Sequence, residues 1–255
     1  MSDSSPGRIK RAWESPGAFW AAAVVVVALV GMAIAIYVTR DHSDSHSSTA
    51  EPSTSTSPST SASAPADPLA GQYVTLPRPT GQTFGYPTQY PHTATGAAAT
   101  ALAYFTAMES ALDYDTATNV AKAYMTNLPF SYEKAGDSIV SLSRSSAKIP
   151  LNGSPVAGIT TDVAIDGVKW TTNADGRVVV LAEVHPTWTK PDGTVREAKV
   201  AAPIGTFVWK QGRWWLDGSA QTSGVEEAYQ EPGTDGFVAA GWQIVRNSDW
   251  SGGLL

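Results

Sequence analysis

The chain has 255 residues, a formal net charge of −6 and no cysteine. The missing cysteine excludes disulfides, thiolate metal ligands, a cysteine nucleophile and a lipid anchor on an N-terminal cysteine. The acidic balance, without a basic cluster after residue 40, argues against nucleic-acid binding.

A long apolar run lies near the N-terminus. Residues 18–38 are 21 consecutive residues without a charge, enough to cross a bilayer core as a helix at about 1.5 Å per residue. Three basic residues precede the run and only Arg40 follows it closely. The more basic flank normally stays in the cytoplasm. We therefore expect a transmembrane helix at 18–38 in contact with membrane lipid, with residues 1–17 cytoplasmic and the C-terminal domain outside.

A cleaved signal peptide is the alternative interpretation of this run. The apolar stretch is longer than the usual core of a signal peptide, and it ends in Tyr37-Val38-Thr39-Arg40 without an Ala-x-Ala-like site. Both features favour a retained single-pass anchor. Gly31 and Ala35 form a small-xxx-small pair that permits close helix approach, although an Ala-rich segment often contains such a pair by chance.

The composition then changes to that of a linker, predicted over residues 39–85. Residues 41–68 are almost wholly Ser, Thr, Pro and Ala with a few acids, and such a segment buries too little apolar surface to fold. Its mean reach is about 30 Å. His42, Asp44 and His46 alternate within it, but we interpret them as solvated linker residues rather than metal ligands.

Residues 86–220 are predicted to form the folded domain, beginning with helices. Leu102, Phe105 and Met108 recur at helical spacing and indicate one buried stripe on the first helix. Thr93 or Thr95 supplies a capping hydroxyl at its start. The three predicted helices cover residues 95–108, 115–125 and 131–147.

After Pro150 the residue types become those of strands. Runs rich in Val, Ile, Thr and Trp are separated by Gly-containing turns, which predicts an antiparallel meander. The predicted fold class is therefore α+β: an N-terminal transmembrane helix, then three helices packed on a curved, antiparallel four-stranded sheet. The four predicted strands cover residues 158–170, 177–189, 195–209 and 213–219.

The end of this pattern has a recognisable form. Residues 207–217 read Phe-Val-Trp-Lys-Gln-Gly-Arg-Trp-Trp-Leu-Asp, which resembles the closing hairpin of the nuclear-transport-factor-two-like, or cystatin-like, cone domains. The opening Gly85-Tyr86-Pro87, with the run 90–99, is similar to uncharacterised single-pass membrane proteins of high-GC Gram-positive bacteria, some carried on conjugative elements. The resemblance covers roughly residues 85–220.

An anchor followed by a cone domain outside the membrane also resembles the inner-membrane assembly factor of type IV secretion systems. It is similar to the Mce-associated membrane proteins of actinobacteria too. Both resemblances imply binding to other envelope proteins or self-association rather than catalysis. The Ser/Thr/Pro-rich tether departs from the pattern of the secretion factor.

Glu183 and His185 are the candidate pocket residues. They are two positions apart on a predicted strand, so they share a face, and they would form a general acid–base pair if that face lined a cavity. The favoured alternative places both on the solvent face, while Val178, Val180, Ala182 and Val184 supply the core from the opposite face. Further carboxylates of the sheet region are Asp162, Asp166 and Asp217.

No catalytic residue, cofactor site or metal site is predicted. The chain contains no Gly-x-Ser-x-Gly elbow, P-loop, dinucleotide fingerprint or His-Glu-x-x-His helix. His92, just before the first helix, is interpreted as a polar residue at the helix start rather than a ligand. The sequence offers no positive indication of an enzyme.

Aromatic residues are the candidate interface. Trp214 and Trp215 are adjacent on a strand and point to opposite faces. One is expected in the core, and the other under the helices, in a pocket or at a partner surface. For either Trp taken singly, a structural role is the favoured interpretation. Residues 221–255 are predicted to be a partly docked tail. Its apolar run, 237–245, is expected to pack on its own domain. The alternative is that Phe237 and Trp242 contact another subunit.

These patterns predict a membrane-anchored binding or scaffold module outside the cell membrane, as part of a conjugation or secretion assembly. The alternative function is a cavity-based enzyme or small-ligand-binding protein using Glu183 and His185.

Overall fold

The computed structural model describes residues 71–154, 157–220 and 227–246. The predicted cytoplasmic segment 1–17, the predicted transmembrane helix 18–38, most of the linker and the last nine residues lie outside these ranges. Within the described ranges, none of the helices has the length and apolar character needed to cross a bilayer. The described residues all belong to one compact unit.

The three long helices precede the four longest strands, as predicted, with short strands before and between the helices. The helices are α1 (Ala94–Glu109), α2 (Tyr114–Tyr124), α3 (Tyr132–Ser146) and the short α4 (Asp235–Ala239). The strands are β1 (Tyr73–Val74), β2 (Gln82–Thr83), β3 (Tyr86–Pro87), β4 (Met125–Thr126), β5 (Thr160–Thr172), β6 (Val178–Thr189), β7 (Val195–Glu197), β8 (Val200–Lys210), β9 (Arg213–Asp217) and β10 (Ile244–Val245).

Helix α1 is buried on nearly every side. The Thr93 hydroxyl accepts a hydrogen bond from the Gly96 amide at 3.0 Å, so Thr93 rather than Thr95 caps the helix. The predicted stripe of Leu102, Phe105 and Met108 is buried, and so are the alanines on the other sides. The single stripe was therefore too narrow a prediction, because α1 packs on the sheet and also on α2 and α3.

Helices α2 and α3 begin at side-chain caps that their sequences encode. The Asp113 carboxylate accepts from the Thr116 amide at 2.9 Å, and the Ser131 hydroxyl accepts from the Lys134 amide at 3.3 Å. Each cap satisfies an amide that lacks an intrahelical partner. On α3, Ile139 is buried and faces the core.

The main sheet has six strands in the order β4-β9-β8-β6-β5, with β7 also paired to β6. It curls into a half-barrel over the helices, and the α+β class is confirmed. Two register shifts contribute to the curl. One lies between Ile165 and Gly167 on β5, and the other lies opposite Val180 and Leu181 on β8.

The sheet differs from the predicted four antiparallel strands in two ways. The predicted strand 195–209 is two strands, β7 and β8, both paired with β6. In addition, β4 follows α2 directly and pairs in parallel with β9. A two-residue strand has too short a pattern to be recognised from sequence, and its partner lies about ninety residues downstream.

Structure also begins earlier than the predicted boundary at residue 86. Strand β2 pairs with β3 as a small hairpin, and β1 pairs in parallel with β10 near the other end of the chain. Leu76, inside the predicted linker, is 1% exposed. Pro77, Pro79 and Gly81 predicted a loop over residues 69–82, but the local hairpin and the long-range pairing of β1 with β10 order these residues.

Candidate functional site

The sheet face opposite the long helices is covered by residues 227–246, here called the C-terminal segment. Alternate residues of β6 point to opposite faces: Val180, Ala182 and Val184 enter the main core under the helices, whereas Leu181 packs in a separate small cluster. That cluster is centred on Ala201, Phe237 and Trp242, the last two being 0% and 2% exposed. The segment therefore encloses a second, smaller core on the outer face.

Backbone pairing fixes the end of the C-terminal segment. The Val168 amide donates to the Gln243 carbonyl at 2.9 Å, and the Gln243 amide donates back to the Val168 carbonyl at 3.0 Å. One residue later, the Ile244 amide donates to the Gln72 carbonyl at 2.8 Å. The segment thus joins the edge of β5 to the first described residues of the chain. The prediction that residues 237–245 pack on their own domain is confirmed.

Gly167 provides the space for the phenyl ring of Phe237. A Cβ atom at position 167 would lie 2.8 Å and 2.9 Å from two ring carbons of Phe237. It would also lie 3.5 Å from Glu183 Oε2. Any larger residue at 167 would therefore displace the ring that holds α4 on the sheet.

Glu183 lies beneath the C-terminal segment and is 0% exposed. The Gln230 amide donates to Glu183 Oε1 at 2.7 Å, while Oε2 is buried and has no hydrogen-bond partner. Burial raises the pKa of Glu183 to about 7, because ionisation would place a charge in a poorly solvated site. The Gln230 hydrogen bond acts in the opposite direction and lowers this pKa, and nearby Asp166 raises it.

Polar contacts surround the buried carboxyl. Asp166 is the unpaired residue of the β5 bulge, and its Oδ2 accepts from the Tyr229 hydroxyl at 2.7 Å. Burial and this hydrogen bond raise the pKa of Tyr229 above its usual range. Lys169 forms an ion pair with Glu227 and donates to the Ala240 carbonyl at 3.1 Å. Each of these contacts joins β5 to the C-terminal segment.

The structure separates the two predicted pocket residues. Glu183 and His185 share a face of β6 as predicted, but His185 Nε2 lies 3.5 Å from Glu197 Oε2 on β7, and no hydrogen bond joins it to Glu183. His185 is half-buried at the rim. The favoured expectation of a solvent face is wrong for Glu183, because the C-terminal segment covers it. The opposite-face prediction is confirmed for the core residues Val178, Val180, Ala182 and Val184.

The predicted interface residues have structural contacts within the domain. Trp214 is buried, and its indole N–H donates to the Pro91 carbonyl at 2.9 Å. Trp215 is half-buried, with the Arg213 guanidinium 3.5 Å from its ring centroid. Phe237 and Trp242 lie in the second core. Trp215 is therefore the one predicted interface residue that retains partly accessible aromatic surface.

His92 stacks on an aromatic ring instead of projecting freely. Its ring centroid lies 4.3 Å from that of Trp209, with an interplanar angle of 13°. The two flank the N-terminus of α1, where His92 immediately precedes the cap. This contact is consistent with the structural role expected for a polar residue at the helix start.

Of the three further carboxylates predicted in the sheet region, Asp166 lies near Glu183, whereas Asp162 and Asp217 do not belong to that site. Asp162 is exposed. Asp217 is buried, and it accepts from Arg177 at 3.0 Å and from the Ser219 hydroxyl at 2.7 Å. Hydrogen bonds to the carboxylate lower the pKa of Asp217, which is the behaviour of a structural ionised group.

Glu109 is a second buried carboxyl that the sequence patterns did not single out. It ends α1, is 4% exposed, and its Oε2 has no hydrogen-bond partner. Burial raises the pKa of Glu109 to about 8. The one available signal was its place at the end of a long apolar helix, where a carboxylate lacks an obvious solvent-facing side.

Within the described ranges, no cluster of three or more His, Asp and Glu residues could hold a metal ion. The predicted linker histidines lie outside those ranges.

No protein family, curated protein or solved structure matches this chain. Chemically, Glu183 can hold a proton near neutral pH, but the C-terminal segment separates it from solvent.

Proposed function

We propose that this protein is a membrane-anchored binding or scaffold module that acts outside the cell membrane within a conjugation or secretion assembly. The observation that carries the proposal is the charge-free run 18–38, with basic residues before it and a Ser/Thr/Pro-rich tether after it. Such an arrangement holds a folded unit at a distance from a bilayer.

The domain's architecture supports a binding role. Three helices lie on one face of a curled sheet and the C-terminal segment lies on the other, an arrangement compatible with the cone-like domains that the closing hairpin resembles. Aromatic rings of the closing hairpin contact His92 and Arg213. These rings are not arranged around a reactive group. These features favour contacts with other envelope proteins or with a second copy over chemistry.

Affinity capture of the full chain from membranes after mild cross-linking tests the proposal. We expect specific envelope proteins or second copies to be recovered. The matched control keeps residues 1–70 and carries an unrelated folded domain, so partners that it also captures are bound through the anchor or tether. Recovery of the same proteins by both chains would contradict a binding role for the domain.

A cavity-based enzyme or small-ligand-binding protein is the second candidate. Two buried carboxyls with raised pKa values, Glu109 and Glu183, favour it, because such groups concentrate at functional sites. The separation of Glu183 from His185 argues against the predicted acid–base pair. A metabolite screen by thermal shift distinguishes the two functions: a compound that stabilises the wild type but not Glu183→Gln would support the ligand-binding candidate.

A further inference from the structure

We propose that the C-terminal segment is a pH-dependent latch, which stays closed over Glu183 while that carboxyl is protonated and opens when it ionises. The proposal goes beyond the binding role, because it concerns how the outer face of the sheet is exposed.

The closed contact accommodates a neutral acid better than a carboxylate. Only one oxygen of Glu183 receives a hydrogen bond, from the Gln230 amide, and the other is buried without a donor. Phe237 packs on Gly167 beside that second oxygen, which has almost no solvent-accessible surface. A charge on an oxygen without a donor or water carries a large desolvation cost. Opening the segment would hydrate the carboxylate and remove that cost.

The surrounding charges do not offset a negative Glu183. Asp166 and Glu227 are acidic and raise its pKa, whereas Lys169 lowers it. Lys169 is already paired with Glu227 and contacts the Trp242 ring, with Nζ 4.5 Å from the ring centroid.

The charged groups at the rim of the contact between the C-terminal segment and the sheet also face oppositely charged or titratable partners. Lys199 pairs with Glu231 at 2.7 Å and lies over the Tyr229 ring, and His185 faces Glu197. The charged and titratable groups that face Glu183 or the rim of this contact are Asp166, Lys169, His185, Glu197, Lys199, Glu227, Tyr229 and Glu231.

The direction of the pH effect follows from the two states. In the closed state the pKa of Glu183 is about 7, and in the open state it is near the ordinary 4.5. Below pH 4.5 both states hold the proton, and closure has its full stability. Between pH 4.5 and pH 7 the equilibrium constant for opening of the C-terminal segment rises about tenfold per pH unit. The total rise is limited to roughly 300-fold, and the constant levels off above pH 7.

Hydrogen exchange on the full chain in detergent micelles measures this opening. The reporters are the amides of Gln243 and Ile244, which donate to Val168 and Gln72 in the closed state. After correction for the intrinsic exchange rate, we expect their protection factors to fall by up to roughly 300-fold from pH 4.5 to 7. The amide of Val180, in the main core, is the internal reference and should hold its protection. Constant protection at Gln243 and Ile244 would overturn the proposal.

Three variants assign the effect to a residue. Glu183→Gln keeps an acceptor for the Gln230 amide but does not titrate, so its protection should be independent of pH; a wild-type fall in this variant would refute the latch. His185→Gln should retain the full fall, because the carboxyl of Glu183, and not the neighbouring imidazole, controls the opening. A flat profile in His185→Gln would assign the switch to the imidazole and overturn the proposal.

Asp166→Asn tests the same idea if Glu183→Gln does not fold. Removing the neighbouring negative charge takes away one cause of the raised pKa of Glu183. The fall in protection should then end at a lower pH than in the wild type. An unchanged pH window in Asp166→Asn would contradict the proposal.

Discussion

At the scale of single residues, two buried carboxyls on opposite sides of the sheet region have raised pKa values for the same reason. Glu109 ends the central helix, and Glu183 lies under the C-terminal segment; each has one buried oxygen without a donor. In both, the pKa is raised because burial favours the neutral acid. Both therefore make the folded state more stable in mild acid than in base.

Glu109→Gln should reduce this dependence on pH. Wild-type stability from Glu109 is fully present below about pH 4.5 and is lost as the pH rises to about 8. The loss is at most about 5 kcal/mol. Urea unfolding at pH 5 and pH 8 should show a smaller difference for Glu109→Gln than for the wild type. The exposed Asp137→Asn on α3 is the control and should behave like the wild type.

Gly167→Ala should destabilise the protein through a clash with Phe237. The added Cβ would lie 2.8 Å from the ring, and overpacking of this kind costs about 1–3 kcal/mol. A double-mutant cycle in chemical unfolding tests the cause. With Phe237→Ala already present, the same glycine substitution should cost less than about 0.5 kcal/mol. An equal cost in both backgrounds would place the clash elsewhere.

At the scale of elements, caps and docking contacts explain where the helices begin and what holds α4. The caps at Thr93, Asp113 and Ser131 are local features of the sequence. By contrast, α4 has only five residues, Asp235–Ala239, and a helix of that length is not stable alone. Its position therefore depends on Phe237 and on the backbone pairing of Gln243.

Thr93→Ala should destabilise α1 by about 1 kcal/mol, because the Gly96 amide loses its acceptor. Thr93→Ser retains a hydroxyl and should recover most of the loss. Thermal unfolding of the full chain followed by far-ultraviolet circular dichroism compares the two. Equal melting of the alanine and serine variants would show that the cap hydrogen bond does not contribute.

Phe237→Ala should cost about 3–5 kcal/mol, since the ring is fully buried against the sheet. The neighbouring Val238 is 41% exposed, so Val238→Ala is a matched control expected within about 0.5 kcal/mol of wild type. Denaturant unfolding measures both. A small effect of Phe237→Ala would mean that the C-terminal segment docks weakly and that its burial adds little stability.

At the scale of the whole molecule, the chain combines a folded unit with a long N-terminal region of a different composition. The two ends of the described unit meet where β1 pairs with β10. The described chain therefore begins beside the C-terminal segment, with the Arg246 guanidinium 4.5 Å from the Tyr73 ring centroid.

The proposed orientation predicts the result of limited proteolysis. Protease added to intact spheroplasts should remove the domain and leave a small membrane-bound fragment, because three basic residues precede 18–38 and one closely follows it. A cytoplasmic protein in the same sample should stay intact. Full protection of the domain until the membrane is permeabilised would mean that the orientation is reversed.

The sequence by itself determined the elements whose signals are local. Apolar spacing, with a capping threonine for α1, located α1, α2 and α3 to within one or two residues. Runs of strand-forming residues separated by glycine turns located β5, β6 and β9. Side chains alternate between the two faces of a strand. This alternation predicted that Trp214 and Trp215 point to opposite faces and that Val180 and Ala182 share the core face. These features depend on neighbouring residues alone.

Only the tertiary structure decided which polar residues are covered. Glu183 has the sequence pattern of a solvent-facing residue, and it is buried because Gln230 and Phe237, 47 or more positions away along the chain, lie over it. The pairing of β1 with β10 and of β4 with β9 is equally remote. Strands of two residues carry no periodicity of their own, so long-range hydrogen bonds and burial alone give them their positions.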